Sequence, residues 1–326
     1  MGKAILVGNG VTSQLIPAYR DNVMIEKFKA EEPVLYKELN SMLQPLRELP
    51  IKDQKNIMKI LAQKGIGVEQ YQESFVEQSL LQELYKPQII AIETLLKVAQ
   101  LFKREITEAY TAIIKTAKRI YYNDGNNGCA SISKRNFSIQ EFSNYINEFD
   151  FVFTTNFDSI LDDAYKKEVM HLHGGFGYKN CFEGTCHWAE KTDVNLSPEQ
   201  VCLIWGCRQS EKERQTHGTF EFPISFPFKI HRSILENHMK VLKTGSYTSL
   251  EIWGYSGLND GHINNAIKSN RNIREIIYYG DPECVNDNSY MRKISTLFVG
   301  SGETKHTIHV KSWNDIWNKF VSGNGA

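Results

Sequence analysis

The sequence predicts an α/β protein, a doubly wound parallel sheet with a large helical insertion after its first strand. Short apolar runs closed by glycine or small polar residues recur along the second half of the chain. Helix-like stretches separate them, and strands joined by helical crossovers run parallel. One further run, "AILVG" (4 to 8), stands alone ahead of a block of different character. An unbroken apolar run of that length suits a strand buried on both faces.

From about Asp21 to Asn147 the period lengthens. "IETLLKVAQLFKREITEAYTAIIKTAKRI" places Ile92, Leu95, Leu96, Ala99, Phe102, Ile106, Ala109, Ile113 and Ile120 at three- and four-residue steps, the stripe of an amphipathic helix. Pro87 fits the first turn of that helix. "NDGNNG" (123 to 128) is a loop by composition. Ser138 with Glu141 three residues on reads as a capping box opening a helix through Phe149. Residues 21–149 are therefore expected to form a helical insertion, and 1–20 plus 150–326 the sheet domain.

Strands follow at "FVFTT" (151 to 155), "VMHLH" (169 to 173), "VCLIWG" (201 to 206), "LEIWG" (250 to 254), "IIYYG" (276 to 280) and "TIHV" (307 to 310). The isolated first strand most economically joins their sheet. With 326 residues and 41% hydrophobic content the chain can bury a sizeable core. Lys plus Arg and Asp plus Glu stand at 38 each, so no global field draws it to nucleic acid or an anionic membrane. The opening apolar run is too short for a signal peptide, and "IIAIETLLKVA" is broken by Glu93 and Lys97 before it could span a bilayer. Six cysteines without an export signal are expected to stay reduced in a cytoplasm.

Open parallel sheets bind ligands at the carboxyl ends of their strands, near the point where strand order reverses. The chemistry gathers at those ends: "GNGVTS" (8 to 13), "TNFD" (155 to 158), "HGG" (173 to 175) and "GYSGLND" (254 to 260). Glycines in the first let a phosphate approach the backbone, although the third glycine of the dinucleotide fingerprint is missing and such segments also occur in plain turns. Asp158 stands where it can cap the next helix, leaving Asn156 on the strand-to-helix turn. Asn156 could equally serve only the turn's own amides. Asp260 can cap a helix from about His262.

In this order the segments resemble the sirtuin family, whose members carry a glycine-rich segment before a Pro-Asp-Phe-Arg loop, a Thr-Gln-Asn-Ile-Asp turn, a His-Gly and a Gly-Thr-Ser. Here these are "GNGVT" (8 to 12) with "IPAYR" (16 to 20), "TTNFD" (154 to 158), "HG" (173 to 174) and "GYS" (254 to 256). The details are most similar to the sirtuin-like branch of bacterial antiphage defence proteins, with a Rossmann-like NAD-binding sheet. That resemblance implies cleavage of NAD⁺, as substrate, to nicotinamide and ADP-ribose, depleting NAD⁺ in abortive infection.

Carried over by residue, it makes Asn156, Asp158 and His173 the catalytic set, with Asn156 against the nicotinamide ribose and His173 the general base. Gly8, Asn9, Gly10, Val11 and Thr12 would line the phosphates, and Tyr19 and Arg20 would belong to the loop over the nicotinamide end. Thr155, Gly254, Tyr255, Ser256 and Asp260 complete the binding set, the "GYS" segment meeting the adenosine half. Ala18 stands where the family has a loop Asp. Neutral His suits a base working near pH 7, and a neighbouring amide orients an oxygen without competing for the proton.

Protein-deacylating sirtuins follow the His-Gly with a zinc module. Cys181, Cys186, Cys202 and Cys207 fall in that interval, but Cys202 lies inside an apolar run read as a strand, so buried thiols and no metal are expected. His187, His217, His231 and His238 show no paired metal spacing. A non-catalytic NAD or ADP-ribose sensor is the main alternative function, and an NAD-dependent deacylase a lesser one. The helical insertion is the expected place for homo-oligomer contacts or for a partner protein that gates activity. In "MHLHGG" the strand end separates two histidines: His173 reaches the crevice, while His171, two residues deeper, is expected to be a hydrogen-bonded core residue.

Overall fold

The computed structural model describes residues 2–47, 128–132, 136–156, 158–172, 229–257, 261–299 and 306–321. Six strands form one sheet: β1 (Gly2–Val7), β2 (Phe151–Thr154), β3 (Val169–His171), β4 (Tyr247–Trp253), β5 (Glu275–Gly280) and β6 (Thr307–Ser312). All pairs are parallel and the order is β3-β2-β1-β4-β5-β6. This is the Rossmann-like arrangement, in which the order reverses between β1 and β4 and the crevice opens beyond their carboxyl ends. The predicted strand at 201–206 and helix at 92–120 lie outside the described residues.

The chain divides into two compact units, Met1–Pro17, Tyr121–Asp193 and Cys202–Ala326 in one, Ala18–Ile120 and Val194–Val201 in the other. The second unit begins with α2 (Asp21–Glu31) and α3 (Pro33–Arg47). Phe28 of α2 meets Tyr36 of α3 edge-on at 6.4 Å between ring centroids, and Lys29 Nζ stands 5.8 Å from the same Tyr36 ring.

In the sheet unit, β1 is central, and Ala4, Ile5, Leu6 and Val7 are wholly inaccessible, as an apolar run covered on both faces requires. On one face Leu6, Leu250, Ile252 and Ile276 pack with residues of α6 (Lys229–Thr244), α7 (Gly261–Ser269) and α8 (Asn288–Phe298). Alternation sends Glu251 and Trp253 to the other face. There Trp253 meets Phe142 of α4 (Ile139–Ile146) and Phe320 at centroid distances of 6.2 and 5.7 Å. Trp317, the last residue of α9 (Trp313–Trp317), joins it at 5.8 Å. A fully buried aromatic side chain contributes roughly 1.5–3 kcal/mol, so this cluster ties α4 and the C-terminal segment into the sheet unit.

The expected cap at Ser138 is present: its hydroxyl oxygen accepts from the Glu141 N–H at 3.2 Å. The Ser138 N–H, which a full capping box would give to Glu141, instead donates to the Phe320 carbonyl at 2.7 Å. A tertiary contact has displaced half of a local one. Glu251, mid-strand in β4, accepts at Oε2 from the Tyr145 and Tyr279 hydroxyls at 2.5 and 2.9 Å, which holds its carboxylate beneath α4.

Candidate functional site

Two glycine-bearing loops meet at the strand reversal. After β1 comes Gly8 and then α1 (Asn9–Leu15); after β4 comes Gly254. Gly8 N–H donates to the Trp253 carbonyl and Gly10 N–H to the Gly254 carbonyl, both at 2.9 Å, and Val11 N–H returns to Gly8 at 3.1 Å. A Cβ on Gly8 would lie 2.4 Å from the Gly254 oxygen, and one on Gly10 2.8 Å from it. Gly254 has φ +69°, and a Cβ there would come 2.6 Å from Val11 N, so glycine is required both sterically and conformationally. The N–H groups of Gly8 and Gly10, expected to line phosphates, are thus engaged in joining the two loops, and that of Val11 closes a turn within the first.

Beside this lock lies the turn after β2. Thr155 N–H donates to the Val7 carbonyl at 3.2 Å. Asn156 N–H donates at 3.0 Å to the Thr154 hydroxyl oxygen, which donates its own hydrogen to the Val7 carbonyl at 2.9 Å. The Asn156 carbonyl faces His171 Nδ1 at 3.0 Å. Both ends of the Asn156 main chain are therefore held. The residue is 3% exposed, yet neither Oδ1 nor Nδ2 of its side chain has a hydrogen-bond partner among the described residues. Leaving a buried amide unpaired costs about 1–3 kcal/mol on the scale of protein mutations.

Asp158, buried, accepts at Oδ1 from the Ile160 N–H at 3.0 Å; the capping position of α5 (Ile160–Ala164), expected at Asp158, falls one residue on, at Ser159. Its Oδ2 has no partner among the described residues. Burial pushes its carboxyl up to about 6; the Asp162 charge adds to that, while the Ile160 N–H, His171 and the nearby Thr12 hydroxyl oppose it. Thr12, itself buried, also donates to Asn9 Oδ1 at 3.1 Å. A carboxyl titrating near neutrality at a strand-end crevice is a candidate for proton handling.

His171 is buried at the end of β3, a core residue as its depth in the strand implied. Its Nε2 lies 2.9 Å from Asp162 Oδ2. Burial pulls its pKa down, but Asp162, by charge and hydrogen bond, the Asn156 carbonyl and Asp158 outweigh that and leave it raised. Its own carbonyl accepts from Nδ1 of His238 in α6 at 3.1 Å, and His238 Nε2 lies 3.2 Å from Glu168.

The remaining expected residues divide. Tyr255 is buried in the core, its hydroxyl donating to Asn264 Oδ1 at 3.0 Å, and Asn264 Nδ2 donates to the Gly257 carbonyl at 2.6 Å, fixing the loop after β4. Ser256 in that loop is exposed. Arg20 stands at the N-cap position of α2 without a side-chain capping bond, and Tyr19 ends the 3-10 turn Pro17–Tyr19 just ahead of it. His173, Asp260 and Cys181, Cys186, Cys202 and Cys207 lie outside the described residues. Asp162, His238 and Asn264 carry no motif signal, because each acts through a neighbour that only the fold supplies. No three His, Cys, Asp or Glu among the described residues are grouped to hold a metal ion, and no helix among them is long and apolar enough to cross a membrane.

The site is therefore the strand ends of a Rossmann-like sheet with a glycine lock, a buried amide without a partner among the described residues and a carboxyl of raised pKa. Compared with models of known families and with curated proteins, the chain matches none.

Proposed function

We propose that the protein is an NAD⁺ hydrolase that breaks the nicotinamide–ribose bond to give nicotinamide and ADP-ribose, the NAD-depleting effector of a bacterial antiphage system. The observation that carries this reading is Asn156: a main chain held at both ends presents a buried amide whose two polar atoms lack partners among the described residues. Unsatisfied buried groups of this kind are rare, and a catalytic role completed by a ligand is one recognised reason for them.

Cleavage expels a neutral pyridine and develops positive character on the ribose, so the protein needs chiefly to position the sugar and accept a proton from the incoming oxygen. In this proposal the Asn156 amide orients that oxygen or a ribose hydroxyl, His173 takes the proton, and Asp158, with its raised pKa, holds charge or a proton beside them. NAD⁺ is substrate, and no metal takes part. A second copy or a partner protein gates turnover.

Purified protein incubated with NAD⁺, alone and with the products of neighbouring genes, is expected to release nicotinamide. Asn156→Ala and His173→Ala should each abolish release; undiminished turnover in either rejects the mechanism. Calorimetric binding of NAD⁺ or ADP-ribose without turnover under every condition would make the protein a sensor, the reading that Ala18 in place of a loop Asp favours.

A further inference from the structure

The amide of Asn156 is useful only if its main chain cannot turn, and one side of that main chain rests on a single imidazole. His171 Nδ1 is 3.0 Å from the Asn156 carbonyl oxygen and Nε2 is 2.9 Å from Asp162 Oδ2. A carbonyl can only accept, so Nδ1 carries a hydrogen. A carboxylate also accepts, so satisfying both contacts with an ionised Asp162 requires a hydrogen on Nε2 as well, and the ring is then an imidazolium with two charge-assisted bonds.

The ring is buried, its partner carboxylate nearly so, and no bulk water competes for either bond. The groups around it agree. Asp162 faces it from α5 and Asp158 from the preceding turn, where Thr12 of α1 stands beside Asp158; His238 of α6 holds the His171 carbonyl from the far side and is tied to Glu168.

We propose that His171, charged and backed by Asp162, is the positioning residue of the site, which fixes the Asn156 peptide so that its side-chain amide stays aimed at the ligand. The part of this that concerns turnover rests on the NAD⁺ hydrolase reading. Main-chain fixation and ring charge do not. His171 makes no contact with the reacting atoms, and its effect passes through Asn156.

Three variants of the full chain test it. In His171→Leu the Asn156 carbonyl loses its donor, and kcat for nicotinamide release should fall about 100-fold with KM changed by less than about threefold, the loss expected of misplacement rather than weakened binding. His171→Gln, whose amide can donate to the same carbonyl, should restore at least about tenfold of that loss. A fall shared equally between kcat and KM, or no recovery with Gln, overturns the proposal.

Two ligand-free measurements decide it should the wild type prove inactive on NAD⁺, an outcome that would reject the hydrolase reading alone. The ring nitrogens of ¹⁵N-histidine-labelled wild type should show His171 as an imidazolium at pH 7, and Asp162→Asn, whose amide can donate to a neutral Nε2, should turn it neutral. Hydrogen exchange should rise in His171→Leu over residues 154–160 while β1 and β4 keep wild-type protection. A neutral ring in the wild type, a charged ring in Asp162→Asn, or unchanged exchange in the turn overturns the proposal. If His171→Leu does not fold, the Gln and Asp162→Asn variants decide it.

Discussion

Replacing Asn156 by alanine should leave the protein at least as stable and less able. Neither Oδ1 nor Nδ2 has a partner among the described residues, and the residue is 3% exposed. Removing a buried amide left without partners relieves about 1–3 kcal/mol, while the void left by its few side-chain atoms costs about 1 kcal/mol. The balance is roughly 0–2 kcal/mol in favour of the variant, and at roughly 2 °C per kcal/mol for a chain of this size Tm should rise by about 0–4 °C. Asn156→Leu provides the contrast, because its methyl groups take up more room than the planar amide and overpacking by about 1–3 kcal/mol offsets the same relief. Urea titrations and thermal melts of the three ligand-free proteins read the difference. Destabilisation of Asn156→Ala by ~2 kcal/mol or more would refute the reasoning, since it would mean that the amide is satisfied in the native state.

Gly254→Ala forces a Cβ to 2.6 Å from Val11 N at φ +69°, and left-handed strain with overpacking should cost about 2–5 kcal/mol by urea titration. Gly8→Ala pushes apart the same two loops, so the double variant should lose less than the sum of the singles. Phe142→Ala, at a wholly buried ring between Phe137, Trp253 and Phe320, should cost about 3–5 kcal/mol in the same assay. Asp158 titrates at 3.8 when unfolded and about 6 when folded, so the native state binds its proton more tightly and stability falls as pH rises through that window, by roughly 3 kcal/mol. His171, raised from 6.5, extends the fall, because the stability its charge confers below 6.5 is lost as pH passes its folded value. Asp158→Asn should flatten the first limb in urea midpoints taken from pH 4 to 8. Burial, with Asp163 and Asp158 nearby, pushes the Cys129 thiol up to about 12, so its peptide should resist iodoacetamide at pH 8 until urea is added, as read by mass spectrometry.

The sheet was legible because its strands are nearly continuous apolar runs, and a strand covered on both faces has no other pattern to show. The expected and observed spans of β1, β2, β5 and β6 differ by one or two residues at most at each end, and β4 starts three residues early at Tyr247, whose hydroxyl donates to the Leu242 carbonyl. Local chemistry such as the Ser138 cap was equally visible, whereas the cap of α5 fell one residue on, at Ser159. What escaped depended on distant partners. Nothing near Ser138 announces that its N–H will go to Phe320, or that Phe142 will pack on Trp253 and carry α4 into the sheet unit. The same holds at the site: Asn156 stood out by its place on the turn, but the His171–Asp162 pair behind it exists only because β2 and β3 lie side by side. Tyr255 stood beside the crevice glycine in sequence, yet strand geometry turned its ring into the core.

The glycine lock also sets when the crevice can exist. Gly8 is made well before the Trp253 carbonyl that its N–H awaits, and the Thr154 hydroxyl that reaches Val7 lies 147 residues downstream of it. At ~5–20 residues per second on the ribosome, about 10–50 s separates the synthesis of the two loops. No nascent or prematurely ended chain lacking the fourth strand can join the two loops, so for a protein whose proposed activity drains its host's NAD⁺, translation itself would delay the onset of toxicity until that strand has been made.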